Sequence, residues 1–222
     1  MTLLISKKSE EYREIYADKR ITNAISGVVR SEKATKIFNG NNLLVASSGY
    51  TGAHVVFEII DRIISFSTET RNDKKNKHVT FLDSLLPENN LGGYRSLDGI
   101  IPVDKSILDS EASLTYIISE ISRCFRQDES KVLDDKHVSS CILIPKTNSK
   151  VFTLDIFGYG VFLEEHYDKY LFEGSGAEMA KSIIRYCELE DFEPSMKNLF
   201  YAVSSLDGSV GREFDYFKVP NL

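Results

Sequence analysis

The second residue of the chain is a threonine, and a threonine at a chain start can do chemistry that an internal one cannot. A Thr hydroxyl is a poor nucleophile until a base takes its proton. Small second residues normally permit removal of the initiating methionine, so loss of Met1 would leave Thr2 with both its hydroxyl and a free α-amine. Such an amine has an unperturbed pKa of about 7.7–8.0, so its neutral form is available as a base near neutral pH. Other common chemistries find less support. The four histidines (His54, His78, His137, His166) share no metal-ligand spacing, and the three cysteines (Cys124, Cys141, Cys187) are odd in number without paired spacing. Neither a zinc site nor a disulfide framework follows, and the thiols read as buried and free in a reducing cytosol. No cofactor is called for.

The elements that would position Thr2 follow from periodicity and turn chemistry. Leu3-Leu4-Ile5 and Tyr12 to Ala17 read as two strands around a charged turn. A third is expected at Thr35 to Phe38, a hairpin turn at Asn39-Gly40-Asn41-Asn42, and a buried return strand at Leu43 to Ala46. Val55, Val56, Ile59, Ile60, Ile63 and Ile64 predict one amphipathic helix, and Leu114, Ile117, Ile118, Ile121 and Phe125 a second from about Ser110. Between them the stretch from about 71 to 107 is rich in Lys, Asn, Asp and Gly and reads as a long inserted loop. Strands resume at Val138 to Ile144, Val151 to Ile156, Val161 to Leu163 and Tyr170 to Glu173. Helices are expected at Ala177 to Leu189 and, with Pro194 in its first turn, on to Leu206; a strand at Phe214 to Val219 follows. Runs of strands and runs of helices predict an α+β layer structure, one domain over 1–222 with two antiparallel sheets between two helix layers.

The chain has 222 residues, 27 Lys plus Arg against 33 Asp plus Glu, and a net charge of −6. That composition is ordinary for a folded domain and argues against a nucleic-acid binder, which carries a basic footprint. No apolar run is long enough to span a membrane or to serve as a secretion signal, so a cytoplasmic location is expected.

Four ordered blocks resemble the β-type subunits of the proteasome and the related HslV peptidases, which are N-terminal nucleophile (Ntn) hydrolases. They are Thr2 with Tyr16-Ala17-Asp18-Lys19-Arg20-Ile21-Thr22; Thr35-Lys36-Ile37-Phe38 with Leu43-Leu44 and Gly49-Tyr50-Thr51-Gly52-Ala53; Glu173-Gly174-Ser175-Gly176-Ala177; and Ser205-Leu206-Asp207 through Asp215-Tyr216-Phe217. The resemblance implies a four-layer αββα sandwich and a threonine endopeptidase acting through Thr2. It assigns Lys36 to keep the site positive and Asp18 to orient that lysine, with Lys33 the other lysine to consider. Ser175 and Asp207 would support the amine and hydroxyl, and the Gly49 N–H would serve as oxyanion donor. Arg20 would anchor the active-site strand, Thr22 would pair with extended substrate, and Ile21 and Ser47 would line an apolar pocket. At the position three after Asp207 the family often has serine; here it is Val210, and the adjacent Ser209 is expected to face the other side of an extended backbone. Partners implied are peptide or unfolded protein substrates, further copies in a homo-oligomeric ring, and an ATP-dependent unfoldase. Met1 removal alone is expected to expose Thr2.

Each residue also has a plain structural reading. Asp18 and Arg20 could form a surface ion pair, and Lys36 could be an exposed edge-strand lysine. Ser175 could be a helix N-cap, and Asp207-Gly208 an ordinary helix exit. The second function these readings allow is a proteasome-like structural subunit without catalysis.

Overall fold

Leu3 to Ile5 do open a strand, β1 (Leu4–Lys8), and the charged turn returns as β2 (Tyr12–Asp18). Ser9 closes the turn, its hydroxyl donating to the Tyr12 carbonyl. In this computed structural model the described residues are 2–22, 26, 28–49, 57, 61, 137–148, 150–157 and 161–221. The next elements are β3 (Ile21–Thr22), β4 (Val29–Ser31), β5 (Ile37–Asn39) and β6 (Leu43–Gly49). Then come β7 (His137–Pro145), β8 (Val151–Phe157), β9 (Val161–His166) and β10 (Tyr170–Glu173). Helices α1 (Ala177–Leu189) and α2 (Met196–Leu206) precede β11 (Phe214–Pro220).

The first sheet runs β10-β1-β2-β11 and the second β5-β6-β7-β8-β9, all neighbours antiparallel, while β3 and β4 form a separate ribbon that the sequence pattern did not announce. Strand alternation divides the first sheet between two cores. Leu4, Ile15 and Ala17 point inward onto Ile37, Leu44, Ala46, Ile142 and Ile144 of the second sheet. Leu3, Ile5 and Tyr16 point outward onto Ala180, Ile184, Leu199, Phe200 and Val203 of the helices. Helices, first sheet and second sheet are thus stacked as an α+β structure. Each fully buried aliphatic or aromatic side chain contributes about 1.5–3 kcal/mol, so these two cores hold β1 and β2 firmly between them.

Helix α1 buries Ala180, Ile184 and Cys187, and α2 buries Met196, Leu199, Phe200 and Val203, the spacings of a single helical face. The start of α2 differs from expectation. Ser195 is its N-cap, accepting from the Asn198 N–H at 3.2 Å, and Pro194 therefore stands just outside the helix and not in its first turn. A hydroxyl cap satisfies a donor that proline at that place could not.

The Asn39–Asn42 turn closes with the Gly40 N–H on the Leu43 carbonyl at 2.9 Å. Asp61, itself helical and buried, accepts from the N–H groups of Asn41 (2.9 Å), Asn42 (2.6 Å) and Leu43 (3.0 Å). Phe57 is also helical and fully buried. The remainder of the helix expected at 55–64, the helix expected at 110–125 and the 71–107 insertion lie outside the described residues. Among the described residues no helix is long and apolar enough to cross a membrane.

Candidate active site

Thr2 is held from both sides. The Leu3 N–H donates to Asp18 Oδ1 at 2.9 Å and the Asp18 N–H donates to the Leu3 carbonyl at 3.1 Å, continuing the β1–β2 ladder up to the chain start. From the other side the Gly174-Ser175-Gly176 turn wraps the residue. The Gly176 N–H donates to the Thr2 carbonyl at 3.2 Å, and Ser175 Oγ accepts from the Thr2 N–H at 3.1 Å. Gly174 has φ of +92°, and a Cβ there would stand 2.3 Å from the Thr2 carbonyl oxygen, so only glycine permits this approach. The N-cap of α1 is Gly176, without a side-chain cap bond, which removes the capping role from Ser175 and leaves its hydroxyl on Thr2.

Lys36 Nζ donates to Thr2 Oγ1 at 2.5 Å and to Asp18 Oδ1 at 2.8 Å. Thr2, Asp18 and Lys36 are 2%, 0% and 8% exposed. Lys36 is therefore no edge-strand surface residue, and Asp18 pairs with it and not with the Arg20 side chain. Asp18 is fully engaged: besides Leu3 and Lys36 on Oδ1, its Oδ2 accepts the N–H groups of Arg20 at 3.0 Å and Gly211 at 2.9 Å. Burial pushes the Lys36 ammonium below its ordinary lysine value, and the nearby Arg20 charge acts in the same direction, while Asp18 opposes both. The result is a hydroxyl touching a partly desolvated ammonium that is steered by a buried carboxylate. Lys33, whose N–H donates to Ser31 Oγ, is exposed.

A second chain of bonds leaves Thr2 through Ser175. Ser175 Oγ lies 3.3 Å from Ser209 Oγ, and Ser209 Oγ donates to Asp207 Oδ1 at 2.5 Å. Ser209 thus faces the site, contrary to the sequence expectation. The reason is local: the chain is extended at Asp207 but turns at Gly208 and Ser209. The Ser209 N–H also donates to Asp207 Oδ1, at 2.9 Å, and the Val210 N–H to the Asp207 carbonyl at 3.1 Å, folding Asp207-Gly208-Ser209 into a turn at the exit of α2. Val210 goes into the helix-facing core beside Leu3 and Val203. Asp207 reaches Thr2 only through the two serines. Ser209 is the site residue that the strand-alternation reading missed, and its signal was the Asp-Gly-Ser triplet itself.

The expected substrate-side residues are distributed around this centre. Arg20 contributes its N–H to Asp18, while its guanidinium is paired with Glu32 at 2.9 Å and donates to the Gly208 carbonyl at 2.5 Å. Its side chain joins the β3–β4 region to the Asp207 turn. The Thr22 hydroxyl donates to the Ser209 carbonyl at 3.3 Å, and Ile21, half-buried, pairs with Ser31. The Ser47 N–H donates to the Lys36 carbonyl at 3.0 Å, which ties β6 to the lysine. Gly49 ends β6, exposed and with φ of +96°, the left-handed region that other residues enter at a cost. Among the described residues no group of three or more His, Cys, Asp or Glu could hold a metal.

No family model matches the sequence, and neither does any curated protein. Solved structures do. The chain is similar to eukaryotic HslV from Trypanosoma brucei, at 15% identity and a TM-score of 0.53, over 98% of this chain and 99% of that one. It is also similar to BPH from Thiobacillus denitrificans in complex with epoxomicin, at 10% identity and a TM-score of 0.52, over 99% of both chains. At such identities the likeness is one of fold, a mixed α+β fold like that of the proteins the four sequence blocks resemble.

Proposed function

We propose that the chain is a threonine-type peptidase of the proteasome-β and HslV kind, with Thr2 as nucleophile after removal of Met1. What carries the reading is the 2.5 Å contact between Lys36 Nζ and Thr2 Oγ1, backed by the buried Asp18. The freed α-amine takes the Oγ1 proton, and the adjacent Lys36 cation disfavours a second positive charge on that amine. Oγ1 attacks the scissile carbonyl carbon, and the Gly49 N–H stabilises the developing oxyanion. As the C–N bond breaks, the amine hands its proton to the leaving nitrogen; water then hydrolyses the ester on Thr2. Ser175, Ser209 and Asp207 hold the α-amine in line.

The same reading extends to the assembly. The outer face of the second sheet carries Leu43, Val45, Leu143, Phe152 and Leu154, all at 0% exposure, which supports a further helix layer over it and hence the αββα sandwich. One domain over 1–222 with an insertion at about 71–107, ring formation by copies of this chain, unfolded protein as substrate, an unfoldase partner and a cytoplasmic location complete the proposal.

The deciding experiment joins two measurements. Intact mass should show Met1 removed, and Thr2→Ala should lower cleavage of a fluorogenic peptide by at least about a thousandfold without changing assembly size. Turnover that survives Thr2→Ala ends the assignment; a retained Met1 with no turnover in either form supports a structural subunit instead.

A further inference from the structure

The end of the β1–β2 hairpin away from Thr2 holds a buried positive charge with no counter-charge among the described residues. Arg13 is 4% exposed, and among the described residues it makes no ion pair. One nitrogen donates to the Asp168 carbonyl at 3.2 Å, and its buried Nε has no hydrogen-bond partner among the described residues. Burial alone pulls the guanidinium below its ordinary value, with no compensating carboxylate. Native structures rarely leave such a group so, and when they do a bound water or ion is the usual reason.

A second orphan lies beside it. Ser6 Oγ is fully buried and also without a partner. Register places the two together: Lys8 pairs with Arg13 and Ser6 with Ile15, so Ser6 and Arg13 are diagonal neighbours on one face. That face is the inward one, since Leu4, Ile15 and Ala17 of the same alternation line the core between the sheets. The bond to Asp168 carries the Arg13 side chain across β1, over the segment that bears Ser6 and Lys8. Lys8, exposed on the same face, guards the open end.

We propose that Arg13, Ser6 and Lys8 form a binding site for a small inorganic oxyanion of the sulfate or phosphate class. The guanidinium fork offers Nε and a terminal nitrogen in the geometry that two oxygens of such an ion accept, and the Ser6 hydroxyl donates to a third. The net charge of −6 gives no long-range attraction for anions, so affinity comes from these local donors. The bound ion supplies the counter-charge missing at this end of the two-sheet core. The site lies five residues along β2 from Asp18, about 17 Å at roughly 3.3 Å per residue, outside the peptidase machinery.

The test is thermal unfolding of the full chain against millimolar sodium sulfate, with ionic strength held constant by sodium chloride, alongside calorimetric titration of sulfate. The wild type should gain several degrees in Tm with saturation, and Arg13→Met should gain none. Without sulfate, Arg13→Met should be as stable as the wild type or more so, because the unpaired charge is gone. Ser6→Ala should keep the response with sulfate affinity about fivefold weaker. Equal responses in wild type and Arg13→Met, an adventitious ion only, would overturn the site, as would no response in either. Should Arg13→Met not fold, unchanged sulfate affinity in both Ser6→Ala and Arg13→Lys overturns it. These readouts involve no turnover, so they stand or fall apart from the peptidase proposal.

Discussion

Strand β2 carries two buried charges five residues apart, and they are treated in opposite ways. Asp18 accepts four hydrogen bonds, three from backbone N–H groups and one from the Lys36 ammonium. Arg13 has one carbonyl and a bare Nε. The desolvation cost of an ion is several kcal/mol in either case, and only at Asp18 does the protein itself offset it. A satisfied buried charge works as a rigid support: Asp18 fixes Leu3, Arg20, Gly211 and Lys36 at once. An unsatisfied one is a vacancy in the hydrogen-bond accounting that a ligand can fill. Asp61 belongs with Asp18, since its carboxylate takes three N–H groups of the β5–β6 turn.

The contrast is broken most severely by Asp18→Asn. It strands Lys36 without its carboxylate and should cost about 3–5 kcal/mol in denaturant unfolding, while Arg13→Met in sulfate-free buffer costs nothing. Equal losses at the two positions would show that the charges are not treated differently. The next effect is on the serine bridge. Ser209→Ala should lower kcat about five- to tenfold with KM unchanged, the worth of one neutral hydrogen bond. Adding Val210→Ser should restore nothing, because Val210 points into the core; that change should instead cost about 1–3 kcal/mol of stability. A full rescue would put the chain's polar support back where strand alternation expected it.

The smallest effects are those of pH. Glu193 accepts from the Tyr170 hydroxyl and pairs with Lys7 and Lys169, and these bonds, the Tyr170 one foremost, lower its pKa to about 2. Its folded value lies below the unfolded one, so its contribution is present above the ordinary carboxylate range and lost as pH falls toward about 2. The group is half exposed, so the loss should stay under about 1 kcal/mol and vanish in Glu193→Gln. Lys36 has the same sign in a more alkaline window. Its folded value is lowered, the unfolded chain binds more protons between that value and the ordinary lysine range, and stability should rise with pH across that window. Unfolding titrations of wild type and Glu193→Gln in acid, and of wild type and Lys36→Met in alkali, separate the two windows.

Much of the scaffold was legible because short-range rules govern it. Helix α1 matches its predicted span to the residue, since Ala180, Ile184 and Cys187 keep one face and the Gly-rich turn before it stops the preceding strand. The Asn39–Asn42 turn and β6 follow from left-handed-tolerant residues and an apolar run. The β3–β4 ribbon was invisible, as a two-residue strand with a register shift has no period to detect. At the start of α2, Ser195 outranked Pro194 because a hydroxyl that satisfies an open N–H is worth more than a preset φ. Ser209 was misplaced because alternation was applied to a turn.

By itself the amino-acid order determined which residue types were on hand: a threonine with a potential α-amine, a lysine and an aspartate in strand-flanking blocks, and a Gly-Ser-Gly turn before a helix. It could not decide which lysine meets the threonine, or which of two adjacent residues bridges to Asp207, because both depend on contacts between segments up to 173 positions apart. Those contacts exist only when two sheets and a helix layer close on one another. Burial then does what sequence cannot express: it makes the Thr2–Lys36–Asp18 pairing costly to break, and it leaves the Arg13 charge waiting for a partner from outside.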